Sequence, residues 1–243
     1  MIALALACCL LAAAAHAQSP PVDRVAFSPP GGAALPRDAA FADEHGRRVL
    51  LGDYLDERPV IVVPAYFGCS NLCGLVARGL AFSLAASRLV AGRDVEVVVV
   101  SIDSRETSAD ALARKQEIVG PSAEGWHFLV GGESSVAALT RALGYRYVYD
   151  EHDRQYAHAA GIVLAAPDGT IRDTMYGVAY APEALRAGVQ GAAPPPVTTA
   201  WLLCFHYDPT SGRYTLAAMN AARLAAGAAL IALAAFIVRS RQR

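Results

Sequence analysis

A continuous apolar run, Val60 to Tyr66 (VIVVPAY), passes directly into Phe67-Gly68-Cys69-Ser70-Asn71-Leu72-Cys73-Gly74 and then into a segment with helical periodicity. No other stretch restricts the fold so strongly. An apolar run of this length without polar alternation reads as a strand covered on both faces. The helix it feeds is predicted over 71–89, with Leu72, Leu75, Val76 and Leu80 at i, i+3, i+4 and i+8 as its buried stripe. This order of strand, cysteine pair and helix puts the first thiol at a helix N-terminus, where the macrodipole favours thiolate. Two cysteines at i and i+4 also bring their sulfurs onto one helical face. They can close a disulfide or clamp one soft metal ion.

The rest of the chain alternates strand and helix. Arg47–Tyr54 reads as a short strand entering the domain, and Asp94–Ile102 (DVEVVVVSI) as the clearest buried strand. A polar helix over 107–119 has Thr107 or Ser108 as its N-cap. WHFLV (126–130) is a strand, and Glu133–Leu143 a helix stopped by Gly144. RYVYD, GIVLAAP and TIRDTMYG supply further strands, the last two joined by a hairpin at Pro167-Asp168-Gly169. Pro182 suits the first turn of a helix over 182–189. Such alternation followed by a late hairpin predicts an α/β fold, a mixed sheet flanked by helices.

The two ends carry a different message. Met1–Ala17 is an apolar run closing on Ala15-His16-Ala17, read as a signal peptide despite an n-region without Lys or Arg. Residues 18–38, rich in Pro, Gly and Ala, are expected to be a flexible leader to a domain over 39–191. Residues 192–215 form a linker and juxtamembrane segment. Leu216–Val238 is apolar and long enough to span a bilayer as a C-terminal transmembrane helix, with Arg239, Arg241 and Arg243 in a basic tail, 239–243. The positive-inside rule places that tail in the cytoplasm and the domain across a bacterial-type inner membrane, in the periplasm. A net charge of -1 argues against nucleic-acid binding.

After removal of the signal segment, three cysteines stay: Cys69, Cys73 and Cys204. Two thiolates suit Cu(I) or Zn(II), and one imidazole added to them makes a trigonal set suited to copper. His158, in the loop before GIVLAAP, is the candidate third ligand. The plainer readings are a structural disulfide for the pair and an ordinary loop residue for His158. Cys204 and His206, in CFHYDP, form a second pair that is either an auxiliary copper-handling site or part of a structural juxtamembrane segment. His45, His127 and His152 read as ordinary polar residues, and Asp150-Glu151-His152-Asp153 as a solvated turn.

YFGCSNLCG, VVVVSIDSRET, GWHFLVGG, QYAHAAGIVLAAPDG and LLCFHYDPTSGRY, in that order, closely resemble the SCO/SenC family over roughly residues 35–220. The resemblance implies a thioredoxin-like fold. It also implies copper, as Cu(I) or Cu(II), held by Cys69, Cys73 and His158. The implied partner is the copper-bearing subunit of cytochrome c oxidase or another copper chaperone. Asp103 matches the acidic residue at the family's SIDP-type strand end. The chain departs from the pattern at Ser104 for proline, at Glu106-Thr107-Ser108 for an acidic-Thr-Pro sequence, at Ala157 for an aspartate before the histidine, and at Ser70 for a proline.

Two functions follow. The first is a copper metallochaperone that passes its ion on by ligand exchange. The second is a membrane-tethered thiol-disulfide oxidoreductase, with Cys69 as nucleophile and Cys73 as resolving thiol. A peroxiredoxin-like peroxidase is disfavoured, because Tyr66-Phe67-Gly68 stands where such enzymes carry a Thr or Ser.

Overall fold

The computed structural model describes residues 25–68, 73–121, 123–151 and 155–192, with short pieces at 207–208, 213–214, 227 and 239–240. In chain order the strands and helices are β1 (Ala26–Phe27), β2 (Ala40–Ala42), β3 (Arg48–Leu50), β4 (Val60–Ala65), α1 (Cys73–Ala86), β5 (Glu96–Ser101), α2 (Ser108–Ile118) and β6 (Trp126–Leu129). They continue with α3 (Glu133–Ala142), β7 (Tyr145–Arg146), β8 (Val148–Asp150), β9 (Gln155–Ala157), β10 (Gly161–Ala165), β11 (Ile171–Tyr176), α4 (Pro182–Val189), β12 (Tyr207–Asp208) and β13 (Arg213–Tyr214).

Five strands make the central sheet, in the order β11-β10-β4-β5-β6. β4, β5 and β6 run parallel, joined by crossovers through α1 and α2, while β10 and β11 run antiparallel to their neighbours. Successive side chains of a strand point to opposite faces, and here both faces are buried. Ile61, Val63, Val97, Val99, Ile162 and Leu164 join Val76 and Leu80 of α1 and Leu185 of α4 in one core cluster. Val60, Val62, Val98, Val100 and Val163 join Phe27, Leu139 and Leu143 in the other. That is why these strands are apolar runs without alternation. Pro64, which has no N–H to give, lies beyond Val62, the last β4 residue paired to β10.

Local signals end the helices where the sequence places them. Thr107 caps α2 reciprocally with Asp110, whose carboxylate accepts the Thr107 N–H at 2.8 Å. Gly144 follows α3 with φ +55°, and a Cβ there would lie 1.9 Å from the Ser28 carbonyl oxygen. The Asp168-Gly169 turn joins β10 to β11, with the Gly169 N–H donating to Ala166 at 2.9 Å.

Three expectations change. Residues 26–38 are part of the fold, not a flexible leader: β1 pairs with β7, Phe27 and Leu35 are buried, and the Tyr176 hydroxyl donates to the Phe27 carbonyl at 2.8 Å. The Phe27 ring stands edge-on to Tyr145 and Tyr176, and that burial holds a segment whose composition reads as loop. The predicted strand over 47–54 is a strand only to Leu50, and a single 3₁₀ turn follows at Leu51–Tyr54. The buried face of α1 is Val76, Ala77, Leu80 and Leu84, whereas Leu75 is 42% and Phe82 78% exposed. Tight packing fixes this rotation: a Cβ on Gly79 would lie 1.7 Å from the Val178 carbonyl oxygen.

The signal segment (1–17), most of the linker and nearly all of the predicted span (216–238) fall outside the described residues. Among the described residues no helix is long and apolar enough to cross a membrane.

One buried ion pair ties α2 to the sheet. Lys115 Nζ donates to Glu44 Oε1 at 2.6 Å, and Glu44 Oε2 accepts the Phe128 N–H at 3.1 Å. Burial pushes the Glu44 carboxyl up, but these hydrogen bonds outweigh it and hold it below its usual range. Asp43 is likewise held low, its burial outweighed by hydrogen bonds from Arg47 and His45. Carboxylates depressed in the folded chain add stability above their unfolded pKa, and that stability is lost as pH falls through the folded value. Urea midpoints should therefore fall as pH is lowered from about 5 to 3. Lys115→Met leaves the Glu44 carboxylate buried without its cation and should cost about 3–5 kcal/mol. Adding Glu44→Gln should recover part of the loss; a loss below about 1 kcal/mol would mean the pair behaves as a solvated surface bridge.

Candidate metal centre

The parallel strands deliver their chain to one end of the sheet. β4 leads through Tyr66-Phe67-Gly68 to Cys69, and Cys73 is the first residue of α1. β5 leads to Ile102 and Asp103, and the Ile102 N–H donates to the Ala65 carbonyl at 2.7 Å. β10 is antiparallel to β4, with Val163 opposite Val62, so the residues just before Gly161 arrive at that same end. His158 lies there, between β9 and β10. Cys69 and the side chain of Cys73 lie outside the described residues, as do Cys204 and His206. Topology thus brings Gly68, the start of α1 and His158 to one end of the sheet.

The turn before Cys69 is held by side chains from elsewhere. Glu106 accepts the Phe67 N–H at 3.0 Å, and it also accepts the Gly68 N–H and the Ser101 hydroxyl. Burial pushes the Glu106 carboxyl up and keeps it above the usual range although these donors pull it back, with a smaller upward push from neighbouring Asp103. On the other side of the turn the Arg114 guanidinium donates to the Phe67 carbonyl and to Glu117, the latter at 2.9 Å. Gly68 lets the Tyr66 ring lie close over the turn: a Cβ there would meet the hydroxyl oxygen at 2.9 Å and make the ring shift.

His158 is anchored through one ring nitrogen. Nδ1 lies 3.0 Å from the Ala159 carbonyl oxygen and 2.8 Å from the Tyr145 hydroxyl, which itself donates to that carbonyl at 2.8 Å. A bare Nδ1 lone pair facing a carbonyl oxygen is unfavourable, so we assign the proton to Nδ1. Nε2 is then the nitrogen carrying the lone pair, the arrangement of a metal-binding histidine whose other nitrogen donates to a carbonyl. Burial holds the imidazole pKa below its usual value, with the Ala159 carbonyl a partial offset, which keeps the ring neutral.

A tyrosine cluster joins the two segments. The Tyr66 ring stands 5.2 Å from Tyr156, two residues before His158, and Tyr156 lies 5.5 Å from Tyr147 and 5.0 Å from Tyr149. The Tyr147 hydroxyl donates to the Ile102 carbonyl at 3.2 Å, fixing the end of β5.

Asp103 is buried and closed by Arg105, whose Nε and Nη2 donate to it at 2.9 and 2.8 Å. Burial pushes this carboxyl up, but the Arg105 bonds prevail and hold it low. Its chemistry is that of a locked ion pair. His127 bonds Glu96 at 2.9 Å at the opposite end of the strands, and the half-exposed His45 side chain lies beside Glu44. Among the described residues no three His, Cys, Asp or Glu side chains converge as a metal cage. Sequence reasoning missed Glu106 as a holder of the turn, and Arg114 and Tyr145 altogether. Only Glu106 had left a trace, as a departure from a motif.

The SCO1/SenC family model matches residues 31–193, the larger part of the chain. Comparison with curated proteins gives no match. Among solved structures, a protein of Aquifex aeolicus VF5 assigned to electron transfer is 23% identical, with TM-score 0.61, and the match covers 69% of this chain and 96% of that one. Arabidopsis thaliana ScoI, solved with copper bound, is 20% identical with TM-score 0.53, covering 66% and 96%. Bradyrhizobium japonicum ScoI, also solved with copper bound, is 20% identical with TM-score 0.51, covering 67% and 99%. At these identities the likeness speaks for the fold.

In the metal-free protein the His158 imidazole should titrate below a free histidine, with the Nδ1-protonated tautomer prevailing, as read from nitrogen chemical shifts. Tyr145→Phe should leave that tautomer in place, because the Ala159 carbonyl still accepts from Nδ1. An imidazole that titrates at or above the free value would contradict the assignment.

Proposed function

The chain belongs to the SCO1/SenC family, and on that premise we propose that it binds copper through Cys69, Cys73 and His158 and serves cytochrome c oxidase assembly. Its acceptor would be the copper-bearing subunit of the oxidase or another copper chaperone. The observation that carries this reading is His158: a half-buried imidazole, held by Nδ1 and kept neutral by partial desolvation, at the sheet end to which β4 runs. Two thiolates and one imidazole are soft, low-coordinate donors that suit Cu(I), and Cu(II) would take an added oxygen ligand. The start of α1 favours thiolates twice over, through the helix dipole and through nearby cations: a Cβ on Gly74 would meet Arg78 Nη2 at 2.6 Å and Arg114 Nη1 at 3.6 Å. With only three protein donors, an incoming thiolate or imidazole from an acceptor can displace them one at a time.

The same cationic setting favours a second reading, thiol-disulfide exchange. Cys69 would attack a partner disulfide and Cys73 would resolve the mixed disulfide, leaving the partner reduced and this pair oxidised. The two roles are compatible, since a copper site built from thiols must be reduced before it is loaded. For either role we place the domain in the periplasm, led there by residues 1–17 and held by a span over 216–238.

The test is copper content and absorption of the full chain in detergent, reduced and loaded under anaerobic conditions. Wild type should hold one copper per chain and Cys69→Ser/Cys73→Ser none. His158→Ala should weaken copper by more than roughly tenfold while thiol-disulfide exchange persists. Reduced wild type without stoichiometric copper would overturn the chaperone reading and leave the oxidoreductase.

A further inference from the structure

Cys69 follows a turn whose backbone polar groups are met by side chains rather than by a ladder. Two successive N–H groups, Phe67 and Gly68, converge on one carboxylate that belongs to the loop after β5. The Ser101 hydroxyl, at the end of β5, occupies the same carboxylate. The carbonyl of Phe67 is taken from the other side by Arg114 of α2. Arg114 is braced in turn by Glu117, which also receives Arg78 of α1 at 2.9 Å. The Phe67 peptide is therefore gripped at both its polar groups by charged side chains from two segments beyond its own strand. A simple turn needs no such grip. Desolvating a carboxylate costs free energy, and here that cost falls immediately before a candidate copper ligand.

We propose that Glu106, with Arg114 across the same turn, is a positioning residue for Cys69: its carboxylate fixes the Phe67–Gly68 backbone from which the chain enters Cys69. This rests on the copper reading of Cys69. A metal ligand's affinity depends on how narrowly its geometry is held before the ion arrives. Glu106 confines the approach to Cys69 much as the Ala159 carbonyl and Tyr145 confine His158. Glu106 donates nothing to the ion, so its loss should weaken binding without removing a ligand.

The experiment compares Glu106→Gln and Glu106→Ala with wild type in the full chain, and uses Val189→Ala, a truncation in the core at the opposite end of the sheet, as a variant that lowers stability away from the turn. Three quantities are read: Cu(I) affinity by chelator competition, the sulfur-to-Cu(II) absorption band, and the reduction potential of the Cys69/Cys73 pair. Glu106→Gln keeps one acceptor oxygen but sets an NH₂ against a backbone donor, so affinity should drop about tenfold, and Glu106→Ala towards a hundredfold. Both should shift the absorption band and the potential, while Val189→Ala leaves all three at wild-type values. Folded Glu106 variants with wild-type affinity, band and potential would overturn the proposal. So would a Val189→Ala variant that weakens copper as much as Glu106→Ala, since stability alone would then explain the loss. If wild type holds no copper, the metal reading fails by itself and the potential decides: a shift in the Glu106 variants keeps Glu106 as the positioning residue of a redox pair, and an unmoved potential overturns it.

Discussion

The site depends on one register, that of β10 on β4. Val163 faces Val62, Leu164 faces Ile61 and Ala165 faces Val60. A slip of one residue would exchange the two faces of β10 and move Ile162 and Leu164 out of the cluster they share with α1 and α4. With both faces buried, nothing on either side tolerates that exchange. The same register sets where the chain before Gly161 arrives, and so where His158 stands relative to the end of β4. Apolar packing in the middle of the sheet thus decides a geometry at its rim. The thioredoxin-like frame of the SCO1/SenC family supplies the rest: a parallel strand and crossover helix that place the cysteine turn at that rim.

Around the turn, charge is matched locally. Asp103 is closed by Arg105, Glu106 by two backbone N–H groups and a hydroxyl, and Arg114 by the Phe67 carbonyl and Glu117. Each group has donors or acceptors within its own neighbourhood, and Glu117 pairs with both guanidiniums that flank the start of α1, Arg78 and Arg114. Such matching separates two tasks. The carboxylates shape the backbone, and soft donors remain for a metal ion. Hard oxygen ligands turned toward the site would favour other cations.

How much of this was legible in the sequence follows from the range of each interaction. The apolar runs of β4, β5 and β10, the Thr107 cap, the Gly144 stop, the Asp168-Gly169 turn and Pro182 are local, and the sequence places all of them correctly. Phe27 is not local: it matters because Tyr145 and Tyr176, far along the chain, leave a socket for it, and a Pro- and Gly-rich context conceals it. Leu75 was misassigned for a related reason. Periodicity fixes which residues share a face, but the contact of Gly79 with Val178 decides which face is buried. At the site, the spacing of Cys69 and Cys73 gives a motif and His158 matches one. Tyr145, Glu106 and Arg114 reach their partners only through tertiary contacts, and no pattern within the chain announces them.

The absence of an acidic residue at 157 acquires a physical meaning from this geometry. Ala157 closes β9, paired with Val148, and its short side chain leaves the imidazole to be oriented by a carbonyl and a tyrosine hydroxyl. A carboxylate partner would raise the basicity of Nε2, the nitrogen that would bind a metal ion, and with it the strength of ligation. Neutral partners fix the tautomer with a smaller increase. For a resident catalytic metal this would be a weakness. For a cargo that has to leave, as the proposed function has it, an imidazole held by neutral partners would complete the donor set with the thiolates while binding less tightly than one backed by a carboxylate. On the proposed reading, the same neutral contacts therefore serve both capture and release.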